Sequence, residues 1–258
     1  MNNYAFLKTY SELQKGITTR ELYDLDFALV WYCEDDKSPF WNNALVNTIL
    51  TKDKVSAVEV KLKNLDRKSA FYFENRPDLT DLSHLLAERG YSKMAEDSWM
   101  FYTGTEIDKS KFDSVKKVES TKELQVFLDT FDQCYRKDDP LNPYGELGDY
   151  LKSARKAWKN SHKSNRVEYF IVYQDDKPVA VSTLTNHKSI GYISNVGSLL
   201  NVRGQGYGSL ATIYCVQQSI NNGNTTHCLA TEEGTYPNKF YKATGFKTKF
   251  TAILMVKK

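Results

Sequence analysis

The stretch from Asn195 to Gln218, NVGSLLNVRGQGYGSLATIYCVQQ, constrains this chain most. An apolar run with Ile193, Val196, Leu199 and Leu200 breaks into Arg203-Gly204-Gln205-Gly206-Tyr207-Gly208. Apolar residues then return at helical spacing, at Leu210, Ile213, Tyr214 and Val216. The pattern reads strand, glycine-rich turn, helix. Three glycines at alternate positions clear side chains from a loop that opens a helix. Glycine permits the positive φ such a loop needs. The bare N–H groups, backed by the positive end of the helix dipole, suit a pyrophosphate. A Walker loop would end in Gly-Lys-Ser/Thr, and Gly208-Ser209 has no lysine. A dinucleotide fingerprint would open a βαβ unit with an acid about twenty residues on. Here Glu232 lies further away and the turn sits late in the chain.

The spacing Arg-x-x-Gly-x-Gly on Arg203, Gly206 and Gly208 resembles the acyl-CoA loop of the GNAT acetyltransferases. Downstream, Tyr241-Lys242-Ala243-Thr244-Gly245-Phe246 is similar to that family's Tyr-x-x-x-Gly-Phe. Two motifs in the right order weigh more than either alone. Residues 114–258 read as strand, two helices, hairpin, strand, glycine loop and helix, strand, helix and final strand. That succession is similar to a whole GNAT domain. The resemblance implies an α/β (α+β) fold: a mixed, mostly antiparallel, twisted sheet flanked by helices.

Length and composition set the remaining bounds. A chain of 258 residues has room for one large or two small domains, and 41% hydrophobic residues describe a globular chain. The net charge of +3 comes from acids and bases mixed throughout, with no basic stripe, so nucleic acid is not expected as a partner. No apolar run reaches the length of a membrane span and no charged-then-apolar leader opens the sequence. Cys33, Cys134, Cys215 and Cys228 are scattered without metal spacing. They read as reduced, buried thiols of a cytoplasmic protein with no metal.

The first half reads as strand Phe27–Tyr32, a helix opened by Ser38-Pro39 and running to Leu50, strands Val55–Leu62 and Ala70–Phe73, helix Leu79–Arg89 and strand Ser98–Tyr102. Its ending resembles the ending of the whole chain. Ala70–Glu74, a turn with Pro77, a helix to Gly90-Tyr91 and a strand at Trp99 parallel Cys228–Glu232, a turn with Pro237, a helix to Gly245-Phe246 and a final strand. Two copies of one domain are expected: a degenerate GNAT-like copy over 1–105, a polar linker over 106–113 and a complete domain over 114–258. The first copy has Leu86 where Tyr241 stands in the second, and no glycine between Leu45 and Val60.

The resemblance implies acetyl-CoA as cosubstrate. Val196, Gly197 and Ser198 would pair with its pantetheine amides like an added strand. Gly204, Gln205, Gly206, Tyr207, Gly208 and Ser209 would hold the pyrophosphate, with Arg203 closing the loop. Tyr241 would protonate the departing thiolate; a phenol with pKa about 10 suits a thiolate of about 8.5. A strand N–H such as that of Val196 or Ser198 would hold the oxyanion. The family's asparagine seven residues before the tyrosine is Gly234 here, which leaves Asn238 or Thr235 as the nearest candidate. Its strand glutamate is also missing, so Glu232 and Glu233 are the candidate bases.

The loop from Arg136 to Asp149 carries Asp138, Asp139, Glu146 and Asp149 among Tyr144 and Tyr150. Anionic walls would favour a cationic amine acceptor. The expected activity is transfer of an acetyl group to a primary amine of a small molecule or peptide, by a monomer or homodimer. The alternative is an acyl-CoA-binding regulator or scaffold without turnover. An aminoacyl transferase using charged tRNA is disfavoured, because the phosphate loop is intact and no basic groove is visible.

Overall fold

A computed structural model describes residues 2–258. They form two compact units, one of residues up to Trp99 together with Lys249–Lys258, the other Met100–Thr248. The division differs from the boundary expected at 106–113: the last ten residues belong with the first half of the sequence. No helix among the described residues is long and apolar enough to cross a membrane.

The first unit runs α1 (Asn3–Gln14), β1 (Glu21–Asp24), β2 (Leu29–Tyr32), β3 (Ala44–Leu45), α2 (Lys52–Asn64), β4 (Ala70–Glu74), α3 (Thr80–Glu88) and most of β5 (Tyr91–Tyr102). Two expectations are reversed here. Val55–Leu62 is helical, although Val58, Val60 and Leu62 alternate as a strand would. Val55, Val58 and Leu62 are buried while Val60 is 57% exposed, so the helical spacing wins. Thr51 caps α2, its hydroxyl accepting from the Lys54 N–H at 3.3 Å, and Asp53 and Lys61 match the dipole at either end. Residues 38–50, expected as a helix, instead hold turns and the short strand β3. The Asn42 amide donates to the carbonyls of Asp36 (2.7 Å) and Ser38 (2.9 Å), and Asn43 donates to those of Pro39 and Phe40. Such bonds satisfy the backbone without helical geometry.

The second unit runs β6 (Val115–Lys117), α4 (Thr121–Cys134), α5 (Tyr150–Ser161), β7 (Val167–Gln174), β8 (Lys177–His187), β9 (Ile190–Ser198), α6 (Tyr207–Asn221), β10 (Thr226–Glu232), α7 (Tyr236–Ala243) and the start of β11 (Phe246–Lys257). The capping box at Ser120 and Glu123 forms as expected and starts α4. Each unit is built on a mixed sheet. In the first, β1, β2 and β3 pair antiparallel, β3 and β4 parallel, and β4 pairs antiparallel with β11 over Ala70–Glu74 and Ala252–Val256. In the second, β6 to β9 pair antiparallel and β9 pairs parallel with β10. Each parallel pair is bridged by one helix, α2 or α6.

The β9–β10 pair positions everything that follows. Its register covers Ile190–Tyr192 against Thr226–Cys228 only. Beyond it β9 runs on to Ser198 and β10 to Glu232 without mutual pairing, so the strands form a fork. At the closed end α6 lies tight on Gly191: a Cβ there would fall 1.8 Å from the Ser219 Oγ. Ser219 also bonds the His227 ring at 2.7 Å, tying α6 to β10. At the open end β9 bulges. Val181 faces Gly197 and Thr183 faces Ser194, so two steps on β8 meet three on β9, with Asn195 at φ +53°. Asparagine tolerates that left-handed state, and its side chain is held by Tyr150 (3.0 Å) and Thr183 (3.1 Å).

Candidate active site

A cleft opens at the mouth of the fork. Val196, Gly197 and Ser198 of β9 form one wall, and Tyr236, Pro237, Phe240 and Tyr241 of α7 the other. Arg203 and Gly208 close one end, and Cys134, Tyr135, Asp139 and Leu141–Tyr144 cover it from α4 and the loop that follows. Gly197 allows the close approach of α4: a Cβ there would sit 2.6 Å from that of Cys134. Burial pushes the Cys134 thiol up to about 12 against the opposing pull of Arg203, so it is no thiolate nucleophile.

The glycine turn has the positive φ expected of it. Gly204 and Gly206 stand at φ +82° and +90°, with open space where a Cβ would be, so conformation alone requires glycine. Gly206 is the N-cap of α6 and no side chain caps it. Among the described residues, the N–H groups of Tyr207, Gly208 and Ser209 meet no protein acceptor. A fifteen-residue helix thus begins with bare donors beside the cleft. Gly204, Gln205, Gly206, Tyr207 and Ser209 make up the turn and the first helical residues and do not line the cleft.

Tyr241 is 9% exposed and packs edge-on against Phe240 (4.9 Å) and Phe246 (6.0 Å). Its hydroxyl has no hydrogen-bond partner among the described residues. Burial, followed by the neighbouring Tyr144 and Cys215, holds its proton far more firmly than an ordinary phenol.

Glu232, Glu233 and Asn238 do not line the cleft. Strand alternation turns Glu232 away: its neighbour Thr231 faces the α4–α5 segment and bonds the Tyr144 hydroxyl at 2.8 Å. Glu233 accepts from the Asn238 amide (3.3 Å) and pairs with Lys242 (3.6 Å). Asn238 is buried on the inner side of α7, its amide also 3.7 Å from the Met100 sulfur.

Long-range partners that sequence reasoning missed organise the roof. Tyr135 donates to the Val196 carbonyl at 2.9 Å. With Tyr144 on Thr231 and Tyr150 on Asn195, three hydroxyls from the α4–α5 segment reach both arms of the fork. Arg203 makes a two-pronged ion pair with Asp139: Nη1 donates to Oδ1 at 2.8 Å and Nη2 to Oδ2. The Arg203 bond holds the Asp139 carboxyl below its ordinary range, against the opposing effect of burial. Arg136 pairs with Asp138 at 3.0 Å and Lys152 with Asp149 at 2.7 Å. Three of the four loop acids therefore have cation partners, which weakens the expected anionic wall. Glu146 lines a second opening with Asp132, Arg136, Lys137 and Asp138.

Comparison with known proteins accords with this geometry. Residues 125–246 match the sequence profile described as "Acetyltransferase (GNAT) family". A GCN5-related N-acetyltransferase from Kribbella flavida is similar in structure, with TM-score 0.68, 18% identity, and 100% of this chain and 96% of that one covered. A functionally unknown conserved protein from Staphylococcus epidermidis gives TM-score 0.66 at 15% identity, over 93% and 94% of the two chains. A tandem GNAT protein from the clavulanic acid biosynthesis pathway gives 0.55 at 11% identity, over 99% and 95%. No curated protein matches the sequence. The forked sheet and the bare helix start both lie within the matched residues 125–246. Residues 125–246 are thus similar to the acetyltransferase (GNAT) family.

Proposed function

We propose that this chain is an acetyl-CoA-dependent N-acetyltransferase acting on a primary amine of a small molecule or peptide. One observation carries the reading: the unpaired edge of β9 at Val196–Ser198, Gly208 at the bare start of α6 and Tyr241, whose hydroxyl meets no protein partner among the described residues, line one cleft. Val196, Gly197 and Ser198 offer strand-edge groups to the pantetheine amides, and Tyr207–Ser209 offer N–H groups to the diphosphate. The amine attacks the thioester carbon directly, its nitrogen forming the new C–N bond as the C–S bond breaks. A strand N–H at Val196 or Ser198 steadies the oxygen charge, Tyr241 delivers its proton to the departing sulfur, and the proton shed by the attacking nitrogen returns through water to the Tyr241 phenolate. A phenol that holds its proton tightly stays protonated throughout the working pH range.

Glu232 and Glu233 do not line the cleft, which supports a route without direct proton transfer to either carboxylate. The amine therefore reacts from its neutral form, and kcat/KM rises with pH toward the acceptor's own pKa. The test is CoA release across a panel of amines, for the wild type and Tyr241→Phe. A working amine with an unchanged rate in the variant removes Tyr241 from the mechanism.

The absence of an unpaired carboxylate in the cleft also favours the second reading, an acyl-CoA-binding regulator. Tight CoA binding with no turnover on any amine would select it. For the first half we propose a degenerate copy of the same domain. It has a parallel pair, β3 and β4, bridged by a helix, but Thr51 caps that helix where glycines leave α6 bare. In that reading Leu86, fully buried on α3, stands where the second copy has Tyr241.

A further inference from the structure

Arg203 is the cation beside the bare N–H groups of the glycine turn, yet both of its terminal nitrogens are engaged by Asp139. The Asp139 side chain is 4% exposed and also accepts from the Leu141 N–H at 3.0 Å. The pair joins two segments that are 64 residues apart: the turn that opens α6 and the loop bearing Tyr144. Asp139 is the carboxylate of the cleft lining and Arg203 its cation. An incoming diphosphate at the turn competes with Asp139 for the same guanidinium, because phosphate and carboxylate match its fork equally well.

We infer that Arg203 is handed from Asp139 to the diphosphate when the acyl carrier binds, and that this exchange uncovers Asp139 as the carboxylate that receives a cationic acceptor. The inference rests on the reading of the cleft as an acetyl-CoA site. It gives the cleft an anionic group only once the carrier is in place, so the carrier binds first and the amine second.

The competition has a sign that a merely structural ion pair lacks. Asp139→Asn removes the competitor, so CoA binds about three- to tenfold more tightly by calorimetry, while pantetheine, which has no diphosphate, is unaffected. In an Arg203→Gln background the same change has no effect on CoA affinity. In turnover, Asp139→Asn lowers kcat/KM more for diamines than for monoamines of equal length. Asp139→Ser serves if the asparagine variant fails to fold. In the intact protein, the Arg203 side-chain NMR resonance, identified by its loss in Arg203→Gln, shifts with CoA and not with pantetheine. Unchanged or weaker CoA binding in the Asp139 variants, or an Arg203 resonance indifferent to CoA, overturns the exchange. Tighter CoA binding with equal loss for both amine classes overturns the acceptor role. A wild-type protein that binds no CoA at all overturns the acetyl-CoA reading instead, and this inference with it.

Discussion

At the scale of single residues, two positions show how burial and conformation divide the work. Tyr241 was legible from its motif, since a tyrosine four residues before Gly245-Phe246 marks the end of a short helix. Its environment was not legible: Phe240, Phe246, Tyr144 and Cys215 together keep the hydroxyl protonated. Tyr241→Phe should lower kcat about a hundredfold, as loss of a general acid does, while CoA affinity changes less than about twofold. Single-turnover kinetics with calorimetry measures both. Gly197 makes the opposite case, because its reason is space. A Cβ 2.6 Å from Cys134 forces α4 to shift, so Gly197→Ala should cost about 1–3 kcal/mol in denaturant unfolding and displace the roof of the cleft. Gly206→Ala meets open space, and its cost of about 1–2 kcal/mol comes from φ alone. Arg203 was readable as part of the loop, but its partner was not. Asp139 lies 64 residues away, and nothing local in either stretch reports such a pairing.

At the scale of elements, the fork depends on contrast between its two ends. The closed end is tight because Gly191 admits α6 and because Ser219 bonds His227. The open end is loose because the bulge at Asn195 breaks the ladder of β9. Strand, turn and helix were visible in the order of apolar and glycine residues. The bulge and the splaying were not, since both arise from cross-strand register. The same limit explains Glu232. Its place at a strand end suggested a base, but only the register with Tyr144 shows that Thr231 takes the inward position. For Val55–Leu62, two periods fit the same apolar letters, and the cap at Thr51 with exposed Val60 decides for a helix.

His227 supplies a pH test at this level. Burial lowers its pKa from the ordinary 6.5, so the unfolded chain takes up the proton first. Stability from this residue is complete above about 6.5 and declines as pH falls through the folded value. Thermal melts should show a loss from pH 7 to 5 that is smaller in His227→Gln. Equal losses in both proteins would remove His227 as the cause.

At the scale of the whole molecule, the chain is less separable than its composition suggests. A cut near residue 110 is suggested by the polar and charged residues 103–114. Yet Met100, fully buried, belongs to the core of the second unit, and Ala252–Val256 take their register from Ala70–Glu74. A fragment of residues 114–258 lacks both the Met100 core contact and the β4 partner of β11. It should show no cooperative melt and no CoA binding; a fragment that melts cooperatively and binds CoA would show that the shared strands are dispensable. The full chain should melt with both units intact.

The central claim is that bare main-chain donors and one buried phenol serve a single transfer reaction. It is tested most directly by measuring thiol release at saturating acetyl-CoA with a working amine, for wild type and Tyr241→Phe of equal CoA affinity. The account predicts saturable CoA binding in both proteins and a rate about a hundredfold lower in the variant. Equal rates, or a wild-type protein without saturable affinity for acetyl-CoA, would contradict it.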